Sequence, residues 1–278
     1  MKLIGIDLDG TLLNSQQKIS KRNVEILEEI SENHFPFICS GREVEDIKNI
    51  LKENKLSIPA IGLNGAVGYD CEKRLFEFYF NHLSMEEINF LVSDFPTKIY
   101  TNYGSFESSE YKTKLKEIFN EIGNEFSIDE LNYELEYEKS IQSASFNHIN
   151  EIIGIDGIKV YKFFVFIPNR NIKSEIKEKL ESIHGITITE SSEVNLEIVP
   201  HNVSKGLVYH HLEKIYGLRN VTKFAIGDSL NDLSLFENSD FSFAMSNGHP
   251  MIKNIATYIT SSNDEDGVAE ALNIISTM

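Results

Sequence analysis

Apolar and polar positions change period repeatedly along the first eighty residues, and the changes predict strands and helices in strict alternation. Lys2 to Leu8 reads as a buried strand. Ser20 is placed as the N-cap of a helix running to about Asn33, with Val24, Leu27 and Ile30 on one face. Phe35 to Cys39 is a second apolar strand, followed by a helix near Val44 to Lys52. Ala60 to Leu63 is a third short strand that stops at Asn64-Gly65. A βαβαβ order implies a parallel sheet covered by helices, and ligands of such sheets bind beyond the carboxyl ends of the strands. Asp7, Ser40 and Asn64 all stand at such ends, on three different strands.

The pattern changes near Asn81. Ser84-Met85-Glu86-Glu87 reads as a capping box opening a helix. Next come an aromatic-rich strand at Lys98 to Tyr103, a charged helix at Tyr111 to Ile122 and an acidic, weakly periodic stretch to about Asn150. A long strand at Ile158 to Ile167, a helix at Asn171 to Ile183 and a strand at Ile186 to Glu190 follow. From Asn195 the earlier alternation resumes: a strand to Val199, a helix from Lys205, a strand at Lys223 to Ile226, a helix at Ser229 to Glu237 and a strand at Phe241 to Ala244. Two short helices end the chain. The expected organisation is α/β, with a smaller α/β domain at 81–190 inserted between core segments 1–80 and 191–278.

Composition narrows the partners. The 278 residues carry a formal net charge of -17, which argues against a nucleic-acid surface while leaving room for a local basic pocket. No apolar run approaches the roughly eighteen residues of a membrane span, and Asp7 comes before any signal-peptide core could form. Two cysteines, Cys39 and Cys71, are too few for a disulfide scaffold. The expectation is a soluble, reduced, cytoplasmic protein whose oligomeric state the sequence leaves open.

Four polar segments make chemical sense only if they meet. Asp7 and Asp9 sit two residues apart at a strand end, before Gly10-Thr11. Ser40-Gly41-Arg42 places a hydroxyl and a backbone N–H just ahead of a helix, a suitable anion site. Ser204-Lys205-Gly206 puts a lysine at a helix start, where the dipole prefers anions. Gly227-Asp228-Ser229-Leu230-Asn231-Asp232 follows the apolar strand. Taken singly, these read as an Asp-Gly turn, a serine cap, a solvated lysine and a helix N-cap. Together, four carboxylates against one lysine call for a hard divalent cation, and oxygen ligands suit Mg²⁺. A phosphate between Mg²⁺, Lys205, Ser40 and backbone N–H groups would be held for in-line displacement. One carboxylate could attack phosphorus while the second acts as acid and base.

In this order, Asp7–Thr11, Ser40-Gly41-Arg42, the lysine of Ser204-Lys205-Gly206 and Gly227–Asp232 resemble the haloacid-dehalogenase-like superfamily, more narrowly its Cof-type phosphatases. Asn64-Gly65-Ala66, Ala244–Asn247 and Asn263–Val268 add to the resemblance. Cys39-Ser40 stands where Ala-Thr is commoner, and Gly248 where Ala is commoner; neither change removes a functional group. The resemblance implies a Rossmann-like parallel-sheet core with an inserted type-two α/β cap. It also implies Asp7 as nucleophile and Mg²⁺ ligand, and Asp9 as acid/base lending its backbone carbonyl to the metal. Asp228 would be the third protein ligand, with Asp232 behind it. Ser40, Gly41, Lys205 and Asn231 would hold the phosphoryl group, and Arg42 and Asn64 would line the site. Dehalogenases of the superfamily lack the second acid, so Asp9 favours phosphoryl chemistry. The expected function is a Mg²⁺-dependent phosphatase of small phosphorylated metabolites, most of all sugar phosphates. A related phosphomutase and a non-catalytic phospho-ligand sensor are the alternatives; the Asp7/Asp9 pair and Lys205 speak against the sensor.

Overall fold

In a computed structural model, which describes residues 1–122 and 143–278, the chain divides into two units. One comprises Met1–Phe78 with Asn202–Met278, the other Tyr79–His201. The first unit opens with β1 (Lys2–Ile6), β2 (Phe35–Cys39), β3 (Ala60–Gly62), β4 (Val67–Asp70) and β5 (Lys73–Glu77). The second holds β6 (Thr97–Thr101), β7 (Gly104–Ser108), β8 (Ala144–Phe146), β9 (Val160–Phe166), β10 (Ile186–Thr189) and β11 (Asn195–Pro200). The chain returns to the first unit with β12 (Thr222–Gly227), β13 (Phe241–Met245) and β14 (Tyr258–Thr260).

The first unit is an eight-stranded sheet in the order β14-β13-β12-β1-β2-β3-β4-β5. Pairing is parallel from β14 through β3 and antiparallel from β3 to β5. Strand alternation sends side chains to opposite faces, and both faces are covered. Ile4, Ile6, Ile38, Phe224 and Ile226 pack on Leu27, Ile30, Leu272 and Ile275 of the helices Lys21–Ser31 and Gly267–Thr277. Leu3, Phe37, Cys39 and Ala225 pack on Val208, Tyr209 and Leu212 of the helix Leu207–Tyr216. Each large apolar side chain buried this way contributes roughly 1.5–3 kcal/mol. Ser20 caps its helix as expected, its hydroxyl accepting from the Asn23 N–H at 3.1 Å.

The parallel register brings the strand ends together. Ile6 lies opposite Ile226 on one side and Ile38 on the other. The N–H of Asp7 donates to the Ile226 carbonyl at 2.9 Å, so Asp7 leaves its strand level with Gly227 and Asp228.

The second unit is a six-stranded sheet in the order β10-β11-β9-β6-β7-β8, antiparallel except for the β7–β8 pair. Its core joins Ile99, Phe163, Val165, Leu196 and Ile198 to Met85, Ile88, Val92 and Leu180 of two helices, His82–Val92 and Arg170–Glu181.

Three expectations need correction. The strand at Asn195 belongs to the second unit, because β11 pairs with β9 and β10; the core resumes at Asn202 rather than at 191. The cap of the helix starting at His82 is Asn81, whose side chain accepts from the Ser84 N–H at 3.0 Å, so Ser84 lies inside the first turn. The strand expected at Lys98 to Tyr103 is β6 but ends sooner, at Thr101, and the chain turns back through Asn102-Tyr103 into β7. Residues 123–142, most of the acidic stretch read as weakly periodic, lie outside the described residues. Among the described residues no helix is long and apolar enough to cross a membrane.

Candidate active site

The loop after β1 is a single wide helical turn, Leu8–Leu12, that departs from helical dihedrals at Asp9 and Gly10. Gly10 has φ +68°, and a Cβ there would lie 2.5 Å from Asp228 Oδ2, so only glycine fits. The next residue secures the contact: Thr11 Oγ1 donates to Asp228 Oδ1 at 2.8 Å. From the other side Asn247 Nδ2 donates to the Gly10 carbonyl at 2.8 Å, while Asn247 Oδ1 accepts from the Asn263 N–H at 3.0 Å. Three distant segments thereby hold one acidic loop.

Lys205 is the centre of the site. It is 1% exposed, and its Nζ donates to Asp7 Oδ1 at 2.6 Å, Asp232 Oδ1 at 2.6 Å and Asn231 Oδ1 at 2.9 Å. The lysine sits just ahead of the helix Leu207–Tyr216 because Gly206 lets the backbone close on its neighbour; a Cβ there would lie 2.1 Å from the Ser234 carbonyl. Asp232 is fully buried, and its second oxygen accepts from the N–H groups of Asp228 at 2.9 Å and Ser229 at 3.0 Å. Ser229 Oγ also donates to Asn231 Oδ1, at 2.8 Å. The Asn231 carbonyl oxygen thus has two donors, and its Nδ2 donates to no group among the described residues.

Carboxylate oxygens of Asp7, Asp228 and Asp232 lie within 4.8 Å of one another. Burial, followed by the Asp232 charge, holds the Asp7 carboxyl well above the usual range despite Lys205. Burial and Asp232 likewise push Asp228 up to about 7. Burial alone would lower Lys205, but the Asp232 and Asp7 carboxylates more than offset it and keep the ammonium charged. With all three carboxyl groups ionised, one ammonium would leave two negative charges uncompensated, which is why burial and mutual repulsion favour protons on Asp7 and Asp228 in the absence of another cation. That charge and the all-oxygen donor set fit a hard divalent cation.

The remaining expected residues surround this centre. Asp9 does not join the carboxylate cluster through its side chain. It faces Arg42, whose Nε donates to Asp9 Oδ2 at 2.8 Å and whose Nη2 donates to Asp9 Oδ1. Arg42, expected to line the site, is therefore engaged with the second acid. Ser40 is buried at the end of β2, with its Oγ accepting from the Arg42 N–H at 3.2 Å. Gly41, half-buried, connects the two. The Asn64 N–H donates to the Ser40 carbonyl at 2.9 Å, and Asn64 itself is buried in a left-handed conformation at φ +58°. Sequence reasoning assigned no role to Thr11, Ser229, Asn247 or Asn263. Each is a polar residue beside an assigned acid or within a noted motif, which was the signal available.

A family profile described as haloacid dehalogenase-like hydrolase matches residues 4–272. The 5-amino-6-(5-phospho-D-ribitylamino)uracil phosphatase YwtE of Bacillus subtilis strain 168 is 31% identical over 280 residues, 97% of this chain and 96% of that protein. Phosphatase YwpJ of the same organism is 31% identical over 291 residues, covering 98% and 99%. A solved haloacid dehalogenase-like hydrolase from B. subtilis superposes with a TM-score of 0.86 at 28% identity, over 98% of this chain and 99% of that one. The HAD subclass IIB sugar phosphatase BT4131 shares the fold, with a TM-score of 0.79 at 20% identity over the full length of both chains. The chain belongs to the haloacid dehalogenase-like hydrolase family, in its Cof-type branch. It is a phosphoric monoester hydrolase.

Proposed function

We propose that the protein is a Mg²⁺-dependent phosphatase that hydrolyses small phosphorylated metabolites in the cytoplasm, sugar phosphates above all, through an aspartyl-phosphate on Asp7. The observation that carries the reading is the convergence of three carboxyl groups beside the buried Lys205, at the carboxyl ends of β1 and β12. Mg²⁺ held by Asp7 and Asp228, with the Asp9 backbone carbonyl, would supply charge compensation to those carboxylates and to the phosphoryl oxygens.

The side chains divide the work. Lys205 holds Oδ1 of Asp7, which orients the carboxylate for attack on phosphorus. As the Asp7–phosphorus bond forms, the ester P–O bond breaks, and Asp9 gives its proton to the departing alkoxide. Asp9 then takes a proton from the attacking water. Breakage of the aspartyl–phosphate bond releases inorganic phosphate and regenerates Asp7. The Asn231 amide hydrogens, whose oxygen is held by Lys205 and Ser229, would with the Ser40-Gly41 segment hold the phosphoryl oxygens. Asp232 keeps Lys205 charged and anchors the loop that carries Asp228.

Polyhydroxylated substrates are supported by two relationships. Three relatives are named for a phospho-D-ribitylamino-uracil, and one fold neighbour for sugar phosphates. Both are phosphate monoesters on hydroxylated carbon chains. The test is incubation with a panel of hexose, pentose and polyol phosphates, with Mg²⁺ and then with excess chelator. Free phosphate in the first arm alone supports the reading. A positional isomer in place of free phosphate would make the protein a mutase, and turnover in chelator would remove the metal.

A further inference from the structure

We propose that Arg42 is a positioning residue for Asp9, gripping the carboxylate in one orientation, and that Gln17 in turn fixes the Arg42 guanidinium. The inference rests on Asp9 being the acid and base of the reaction. Two donors from one guanidinium edge meet both carboxylate oxygens: Nε on Oδ2 at 2.8 Å and Nη2 on Oδ1. A guanidinium is planar, so this two-pronged contact fixes the plane of the carboxylate as well as its position. Asp9 needs such a device. Its side chain is 30% exposed and precedes a left-handed glycine on an irregular loop rather than standing on a strand or a regular helix.

Arg42 is itself well anchored. Its N–H donates to Ser40 Oγ at 3.2 Å, and its carbonyl accepts from the Leu63 N–H at 2.8 Å. Its side chain crosses from the end of β2 to the β1 loop, where Nη2 also donates to Gln17 Oε1. Gln17, at φ +57°, sits in the small hairpin closed by the Leu13–Ile19 bridge. The Ser15 N–H ties that hairpin to Asp264 Oδ1 at 2.8 Å. Asp9, Arg42 and Gln17 form a relay in which the acid is held by a residue that need not touch substrate.

The test compares kcat/KM for ethyl phosphate, whose leaving group requires a proton, with p-nitrophenyl phosphate, whose leaving group does not. Ethyl phosphate offers nothing beyond its phosphoryl group for Arg42 to recognise. In Arg42→Ala the first value should fall about 100-fold and the second less than about 5-fold, within the range of a lost general acid. The inhibition constant of inorganic phosphate should stay within about 2-fold, since Arg42 does not hold the phosphoryl group. Arg42→Lys keeps the charge but not the fork and should resemble Arg42→Ala. Gln17→Ala should show a smaller loss with the same bias, and it covers the case in which Arg42→Ala does not fold. Equal losses on both esters, or phosphate binding weakened in step with turnover, overturn the proposal. Asp9→Asn is the control: bias there without bias in Arg42→Ala removes Arg42 alone. No bias in Asp9→Asn removes the acid reading and the relay with it.

Discussion

Lys205 Nζ lies 2.6 Å from Asp232 Oδ1, and the other oxygen of that carboxylate accepts the N–H groups of Asp228 and Ser229. The lysine is thus held by Asp232 as well as by Asp7, the proposed nucleophile, and Asp232 also shapes the loop that carries Asp228. With that second anchor Lys205 would keep its place while Asp7 turned to a phosphoryl group.

Replacing Lys205 with methionine keeps the length of the side chain and removes the ammonium that pairs with Asp7 and Asp232. The uncompensated carboxylates should lower stability by about 3–5 kcal/mol. Turnover should fall by about 100-fold or more through loss of electrostatic stabilisation. Chemical unfolding in chelator at neutral pH, with kinetics alongside, checks both. Native stability in Lys205→Met would mean the ion cluster contributes little.

Asp228→Asn should stabilise the metal-free protein at alkaline pH. Its carboxyl is raised to about 7 in the folded chain, chiefly by burial and then by Asp232. A raised carboxyl favours the folded state while protonated, so this contribution is present at low pH and lost as pH rises towards 7. Above pH 7, in chelator, the variant should gain about 1–3 kcal/mol over native protein, and its stability should vary less between pH 4 and 8. Mg²⁺ should raise the unfolding midpoint of native protein and leave the variant nearly unmoved. Unfolding curves at pH 5 and 8, with and without Mg²⁺, give all four values. A variant less stable at pH 8 in chelator would contradict the account.

Gly10→Ala forces a methyl group against Asp228 Oδ2 at a residue with φ +68°. Strain of about 1–3 kcal/mol should appear in the unfolding midpoint. The Mg²⁺ concentration for half-maximal activity should rise as well, because the displaced carboxylate is a proposed ligand. Unchanged metal dependence would show that Asp228 does not bind the cation.

Much of this was legible locally. The strands β1, β2 and β12 are continuous apolar runs ended by Asp7, Ser40 and Asp228, so a parallel sheet with acids at its carboxyl edge could be read from spacing alone. The boundary near Asn195 could not. Leu196 and Ile198 alternate with Asn195 and Glu197 as they would in either sheet, and only pairing with β9, some thirty residues earlier, decides between them. The Asn81 cap was hidden by a second good cap signal at Ser84, three residues on. Among the site residues, the meeting of Lys205 with Asp7 and Asp232 was foreseeable from charge. The grip of Arg42 on Asp9 was not, because it depends on the side-chain path across the ends of two strands.

The most direct measurement traps the covalent intermediate. Protein quenched in acid during turnover of a good substrate, reduced with borohydride and digested, should yield homoserine in place of aspartate at position 7 and nowhere else. Asp7→Asn, folded to native stability, should yield none and should not turn over. Reduction at another carboxylate, or full turnover by Asp7→Asn, would contradict the central claim that Asp7 attacks phosphorus.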